Sequence, residues 1–453
     1  MTTLEDAITP NHDLSVAQPQ RHTGPGIAET AAMSLAVFLL IANVPTEWVV
    51  VRAQGDLDAG GSAFVALLFI AVAGFLGIQM NGRWTGFFQI VGREPLLLAF
   101  LVWSTMSALW SEDVPFSVRR AIALLVASYL GAHFVLRFSQ FAIMRILGLN
   151  FAAVAFINLI WIFLFPQFSG PAQGQTPDNV VGFDARLTGI YDNANTLGRI
   201  TALGAFTMLA AARLDRRFRV VYLAGFGAGV LSLLLSQSQT SFVVTILTSL
   251  LLVGFLIFRA RKQLFGAVFV LVVGATLVSV IAVVTNLELI TGALDRDVTL
   301  SGRVPLWGLL FDELQRRPIF GFGYAGYWNG WGSPSHELWN LIPWRPPHGH
   351  QQYIDVMLTT GVIGLALFTA LIVRTFVRST RYIRDIKGSF GLWPLVFMCF
   401  FQLNTMTEAG LVGRDIVWFL LVAVVVLVST RKKELVEDEL QPPSPEALPS
   451  AAT

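Results

Sequence analysis

The chain is a succession of apolar runs, each about as long as the oily core of a bilayer is thick, separated by short polar stretches. A helix needs roughly 20 mostly apolar residues to cross that core. Twelve runs qualify, near 31–51, 62–80, 95–111, 118–136, 146–165, 194–212, 220–236, 240–258, 264–284, 351–373, 389–406 and 413–430. The first is the least regular, because Pro45, Thr46 and Glu47 interrupt it. Hydrophobic residues make up 54% of the 453 and charged residues only 13%, about half the usual charged share of a soluble domain. No single soluble core absorbs that much apolar sequence. The expected fold is therefore all-α: a polytopic integral membrane protein with about twelve transmembrane helices.

The distribution of charge sets the expected orientation, since cytoplasmic connections carry the excess of Lys and Arg. With both termini inside, the inner segments hold Arg83, Arg93, Arg137, Arg145, Arg213, Arg216, Arg217, Arg219, Arg374, Arg378 and Arg381, among others. Shifting the register by one helix would invert the bias. The net charge of +2 is uninformative as a total, and no nucleic-acid partner is expected. Cys399, the single cysteine, lies inside an apolar run, so neither a disulfide framework nor a thiol metal site is available. Residues 1–28 are polar and lack a signal-peptide pattern. With 431–453, which includes "LQPPSPEALPS", they are expected to be disordered cytoplasmic tails flanking a membrane domain over 29–430.

This orientation puts two longer connections outside, 166–193 and about 285–350. A connection as long as the second is usually functional, and it has structure written into it. Trp307, Leu310, Phe311 and Leu314 follow i, i+3, i+4, i+7 spacing, Ser301 suits an N-cap and Pro305 a first turn. Asp312 with Arg316, and Glu313 with Arg317, form i,i+4 pairs on the other face. Pro318 and the glycines of "IFGFGYAG" stop the pattern. The expectation is an amphipathic helix on the outer membrane surface. Five of the twelve tryptophans are here (Trp307, Trp328, Trp331, Trp339 and Trp344), as are three of the six histidines (His336, His348 and His350). Interfacial belt and sugar-stacking platform both remain open for the tryptophans.

At this point a family pattern emerges. "SGRVPLWGLLFDELQRRPIFGFGYAGYW" followed by "HGHQQYIDVMLTTGVIG" resembles the O-antigen ligase-related membrane family, which also holds exopolysaccharide polymerases of the Wzy-dependent kind. The matching residues are Gly302-Arg303 with Trp307, the turn from Pro318 to Gly321 and Gly323, His350-Gln351, and Gly361 with Gly364. Upstream, "RLTGIYDNANTLGRI" resembles the family's entry to a middle helix through Arg186, Gly189, Tyr191, Asn195, Leu197 and Gly198. "LWSEDVPFSVRRA" is similar to the exopolysaccharide-production branch at Trp110, Ser111, Pro115, Ser117 and Arg120, and "TEAGLVGRDIVWFL" looks like its closing helix, with Glu408. The resemblance covers roughly 95–430. Gln351 stands where the family usually has Asn, and Gln239 where many relatives have a basic residue.

The resemblance implies transfer of a glycan from an undecaprenyl-diphosphate carrier to an acceptor hydroxyl, on the periplasmic face of a bacterial inner membrane. It implies no cofactor, nucleotide sugar or metal. Membrane lipid and other polysaccharide-assembly proteins are further expected partners. The leaving diphosphate takes up negative charge, which suits guanidinium groups that stay charged and grip two oxygens at once. Arg303, Arg186 and Arg120 are the candidates, and Arg303 also sits where a helix N-terminus would disfavour a cation unless an anion docks there. Snorkelling is the plain alternative for Arg119 and Arg120. The acceptor hydroxyl must lose a proton, and His350, at the edge of a span, is the expected general base. Trp307, Asn195, Gln351, Tyr353, His348 and Glu408 are expected to bind sugar or to position these groups, and Asp355 to orient a neighbour or be a buried hydrogen-bonded acid.

Three rival readings use the same residues. A ligase would attach finished glycan to lipid A-core or another acceptor through the same donor half-reaction. A transporter or flippase would use charged groups near mid-membrane and internal repeats, but the halves show no convincing repeat. Zinc held by His348, His350, His336 and Glu337 lacks tight spacing. Arg199 and Glu408 lie in or near spans, where ionisable groups are functional or paired, and the sequence names no partner for either.

Overall fold

The computed structural model describes residues 24–43, 60–166, 169, 186–260, 303–329, 333–342, 346–385, 389–413 and 415–430. The described residues form helices α1 (Ile27–Ala42), α2 (Gly60–Gln79), α3 (Trp84–Val91), α4 (Pro95–Met106, continued by a 3-10 turn to Trp110), α5 (Val114–Arg137), α6 (Gln140–Leu164) and α7 (Ala194–Leu214). They continue with α8 (Arg219–Ser236), α9 (Gln239–Ala260), α10 (Arg303–Arg316), α11 (Ser335–Leu341), α12 (Gln352–Asp385), α13 (Ser389–Thr405) and α14 (Ile416–Ser429). Among the described residues, six helices are long and apolar enough to cross a membrane. The number is seven if the pair Leu67–Gln79 and Trp84–Val91, bent by 112°, is one broken span, and four shorter apolar helices accompany them. The chain is a polytopic all-helical membrane protein. The apolar run at 264–284, the second half of the run at 31–51, residues 1–23 and 431–453, most of 166–193 and the start of the 285–350 connection lie outside the described residues. The first half of 31–51 and the other ten apolar runs fall on these helices, and α1 begins at Ile27, inside the stretch expected as a tail.

Helix starts follow from short polar caps. The side chains of Asp113, Asn193 and Asp415 accept hydrogen bonds from the backbone N–H groups of Phe116, Asn195 and Val417 at 3.0, 2.7 and 2.7 Å, satisfying donors that a helix N-terminus leaves over. Helices α6, α7 and α8 pack on one another, α12 packs on α4 and α13, and α14 packs on α5. From Ile416 to Leu427, α14 is buried on every side, a central position that its uniformly apolar sequence suits.

The bundle has two different ends. One gathers the connections around 110–113, 186–195, 236–239, 303–350 and 406–415, and is called the loop end here. At the opposite end three buried carboxylates are each closed by arginine: Glu29 by Arg137 at 2.8 and 2.9 Å, Asp215 by Arg145 at 2.7 Å, and Glu94 by Arg378 with Arg374 at 3.8 Å.

At the loop end, α10, α11 and the start of α12 build a second small core from Leu306, Leu310, Leu314, Phe322, Tyr327, Leu338, Ile342 and Leu358. This cap corrects the expected surface helix in two respects. The apolar face of α10 is buried within the protein along Leu306, Leu310 and Leu314, whereas Phe311 is 57% exposed. The expected i,i+4 pairs are replaced as well: Arg316 reaches Glu313 and Glu337, and Arg317 bonds Glu112 at 2.9 Å.

Helix α12 has 34 residues, about 51 Å at the usual rise, well beyond a hydrocarbon core of roughly 30 Å. It resolves into two pieces at Gly361, whose φ of 68° and ψ of −173° are non-helical. The turn 318–323 docks into that break. Val362 N–H donates to the Pro318 carbonyl at 2.9 Å and Phe322 N–H to the Leu358 carbonyl at 2.8 Å, while the Trp103 indole takes up the Thr360 carbonyl at 2.8 Å. A Cβ on Gly361 would lie 1.9 Å from the Ile319 carbonyl oxygen, so only glycine permits the joint.

Candidate functional site

Four segments far apart in sequence meet at the loop end around Glu408. This carboxylate is 5% exposed. Its Oε1 accepts from Asn195 Nδ2 at 3.0 Å and from Arg303 at 3.1 Å, and its Oε2 lies 3.7 Å from His350 Nδ1. Burial pushes the Glu408 carboxyl up, but the His350 imidazole and the Arg303 charge more than offset this and hold it at about 2. The group is therefore an anion at neutral pH.

Each partner is itself held. Arg303 opens α10 and also donates to the Thr407 carbonyl at 2.8 Å, with a nitrogen 3.5 Å from His350 Nδ1. A cation at a helix N-terminus is unfavourable to the dipole, and Glu408 is the anion that compensates. Asn195 sits in the first turn of α7, where Asn193 caps it. Its side-chain oxygen accepts from Arg186 at 2.7 Å and from Ser238 at 2.9 Å. A continuous chain thus runs from exposed Arg186 through Asn195 and Glu408 to Arg303 and His350.

The turn bearing His350 is built with equal care. His348 and His350 have ring centroids 4.1 Å apart, and the His350 N–H donates to His348 Nδ1 at 3.2 Å. Burial, reinforced by neighbouring His350, pushes His348 down to about 3, so it stays neutral and keeps Nδ1 as an acceptor. Trp307 donates through its indole to the Gly349 carbonyl at 2.8 Å. Gln351 accepts from the Ile354 N–H at 2.7 Å and caps α12. Tyr353 points away from the cluster, donating to Gln402 at 2.8 Å. Arg120 is also outside this hydrogen-bonded chain, its guanidinium 5.0 Å above the Phe116 ring on α5.

Several participants carried no signal in the sequence. Gln352, 3% exposed, accepts from the Leu411 N–H at 2.8 Å and ties α12 to the loop that presents Glu408. Ser238 belongs to an unremarkable polar turn, and Gln239 beside it is exposed. Arg199, one turn beyond Asn195 on α7, pairs with Asp415 at 3.1 Å. The two ionisable groups left without partners by the sequence are thus bound at neighbouring rungs between α7 and the 406–415 loop.

Ligand atoms of His348, His350 and Glu408 lie within 4.8 Å of one another, close enough to hold a cation. The positive charge at that point is already supplied by Arg303, bonded to the same carboxylate, and a dication would have to displace it.

Residues 224–369 match the family model described as O-antigen ligase, Wzy_C, a stretch that contains Arg303 and His350 but not Arg186, Asn195 or Glu408. Over 341 residues the chain is 28% identical to the exopolysaccharide production protein ExoQ of Rhizobium meliloti (strain 1021), covering 71% of this chain and 75% of that protein. The chain is thus a polytopic membrane protein that is similar over residues 224–369 to the O-antigen ligase family and, over most of its length, distantly similar to an exopolysaccharide production protein.

Proposed function

We propose that the protein polymerises repeat units of an exopolysaccharide or O-antigen, moving glycan from an undecaprenyl-diphosphate carrier to an acceptor sugar hydroxyl. The observation that carries this reading is the convergence of Arg303, His350, Glu408 and Asn195 from four segments onto one hydrogen-bonded cluster. A base, a carboxylate that orients it and a guanidinium fit for diphosphate are the groups such a transfer needs.

In this reading, His350 takes the proton of the acceptor hydroxyl as its oxygen attacks the anomeric carbon. The bond between that carbon and the diphosphate oxygen breaks, and the electron pair leaves with the lipid diphosphate. Arg303 has five N–H donors, and its bonds to Thr407 and Glu408 leave others for phosphate oxygens. Arg186 and Arg120 extend the cationic surface toward the same leaving group. Glu408 orients the imidazole, Asn195 bridges Arg186 to Glu408, and Trp307, Gln351, Tyr353 and His348 support the frame around them. No metal and no nucleotide sugar takes part.

The topology belongs to the same proposal. The eleven described apolar helices and the run at 264–284 make twelve spans within a membrane domain over 29–430. The arginine-rich end faces the cytoplasm together with both terminal tails. The loop end then faces the periplasm of a bacterial inner membrane, where carrier-linked glycan is reached.

The deciding experiment supplies purified protein in nanodiscs with carrier-linked oligosaccharide alone. A ladder of longer carrier-linked chains is the expected result, and absence of any elongation overturns the polymerase reading. The similarity of residues 224–369 to the O-antigen ligase family favours a second reading, ligation of finished glycan to lipid A-core or another acceptor. Transfer of preformed long chains to such an acceptor, without elongation, would select it.

A further inference from the structure

His350 has a φ of +51°, the left-handed region that a non-glycine residue rarely enters unless its surroundings hold it there. The turn leading to it is fixed at successive backbone groups. The Pro346 carbonyl accepts from the Trp339 indole at 2.9 Å, the Gly349 carbonyl from the Trp307 indole at 2.8 Å, and His348 Nδ1 from the His350 N–H at 3.2 Å. The Gly349 N–H donates to Asp355 Oδ1 at 2.9 Å, and the same oxygen accepts from the Trp328 indole at 3.1 Å.

Asp355 is the unusual member of this set. It is 7% exposed, and among the described residues it forms no ion pair; what it receives is two neutral N–H groups. A carboxyl in such a place is unfavourable unless it satisfies something that a hydrophobic residue cannot. The fit to Gly349 is close: a Cβ there would lie 2.7 Å from Asp355 Oδ1 and 3.1 Å from Leu310 Cδ1. The carboxyl at 355, held against the Gly349 amide, therefore leaves no room for a side chain at 349.

We propose that Asp355 is a positioning residue for glycan transfer: by holding the Gly349 amide it fixes the left-handed turn that aims the His350 imidazole at Glu408 and Arg303. In the same arrangement His348 is a backbone acceptor, not an acid or base. The proposal rests on the reading of His350 as the base. It also gives the three cap tryptophans Trp307, Trp328 and Trp339 a shared task, since each donates its indole N–H to this turn or to the acid that holds it.

The test compares Asp355→Ala with Asp355→Asn in nanodiscs, with carrier-linked oligosaccharide as substrate. Asn keeps an oxygen acceptor at the δ position and Ala does not. Asp355→Ala should lower kcat about 100-fold, the loss typical of a misplaced reacting group, with KM for the carrier-linked donor within about twofold of wild type. Asp355→Asn should recover most of that kcat. Wild-type kcat per folded molecule in Asp355→Ala overturns the proposal, and so does an Asp355→Asn variant as slow as Asp355→Ala. Should Asp355→Ala fail to fold, Trp307→Phe provides the same test by deleting one donor to Gly349: a kcat lowered about tenfold at constant KM supports the clamp, and an unchanged kcat overturns it. His350→Ala run in parallel separates the two levels, because activity in that variant removes the base itself, whereas its loss alongside an unaffected Asp355→Ala removes only the positioning role.

Discussion

The two ends of the bundle use the same residue types in opposite ways. At the arginine-rich end, Glu29 is held by Arg137 and His133 of one helix, Asp215 by Arg145 and the Tyr222 hydroxyl, and Glu94 by Arg378, with His133 and Tyr222 fully buried. At the loop end, Glu408 is shared among an amide, a guanidinium and an imidazole from three different segments. A closed cluster whose members are spent on one another fixes helices relative to one another and leaves little for a ligand to gain. A shared carboxylate holds several groups that retain capacity for a substrate. The comparison predicts that damage at one end appears in stability and damage at the other in turnover.

The largest expected effect is at the loop end. Arg303→Ala and His350→Ala should each lower glycan transfer per folded molecule on the order of 1,000-fold while membrane insertion is retained, as read by transfer assays normalised to folded protein. Full activity in either variant removes that residue from the mechanism. Glu408→Gln should slow transfer about 10- to 100-fold, because it disturbs the orientation of both partners. It should also change the acid response. The Glu408 carboxyl is held at about 2 against an ordinary value of 4.5, so its contribution to stability is complete above about pH 4.5 and is lost as pH falls toward 2. Melting between those pH values should decline less steeply in Glu408→Gln than in wild type; identical slopes would remove the linkage.

At the other end the sign of the experiment reverses. Glu29→Gln leaves Arg137, itself mostly buried, without its counter-charge. The expected loss is on the order of 3 kcal/mol of stability, with turnover per folded molecule unchanged. A slower but equally stable Glu29→Gln protein would erase the distinction between the two ends. The smallest effect is expected from chelators, which should leave transfer untouched. Inhibition by EDTA that zinc reverses would instead put a cation on His348, His350 and Glu408.

The membrane architecture was legible because burial in lipid leaves a signal in every residue of a run. The site was legible only in part. Arg303, His350 and Asn195 were found through motifs, but nothing in one dimension joins Asn195 to Glu408, 213 residues apart, so the carboxylate that organises the cluster had no nameable partner. Arg120 stands out through a motif and Tyr353 through its position, and the fold leaves both outside the hydrogen-bonded chain. Periodicity on α10 selects Phe311, which is exposed, and passes over Leu306, which is buried, because a pattern of spacing cannot tell which side of an apolar stripe the neighbouring core will cover. The same blindness applied to Arg317, whose partner Glu112 comes from the start of α5 rather than from its own helix.

The joint between the 318–323 turn and Gly361 has a consequence for how such a protein can diversify. The cap is riveted to the long span by main-chain atoms, through Pro318, Phe322, Leu358 and Val362, so the fastening makes little demand on most of the side chains around it. The surface around it can be recarved without loosening its mount. The two glycines that let the chain segments of the joint touch, Gly321 and Gly361, and the indoles of Trp103 and Trp110 that bond its carbonyls, are denied that freedom.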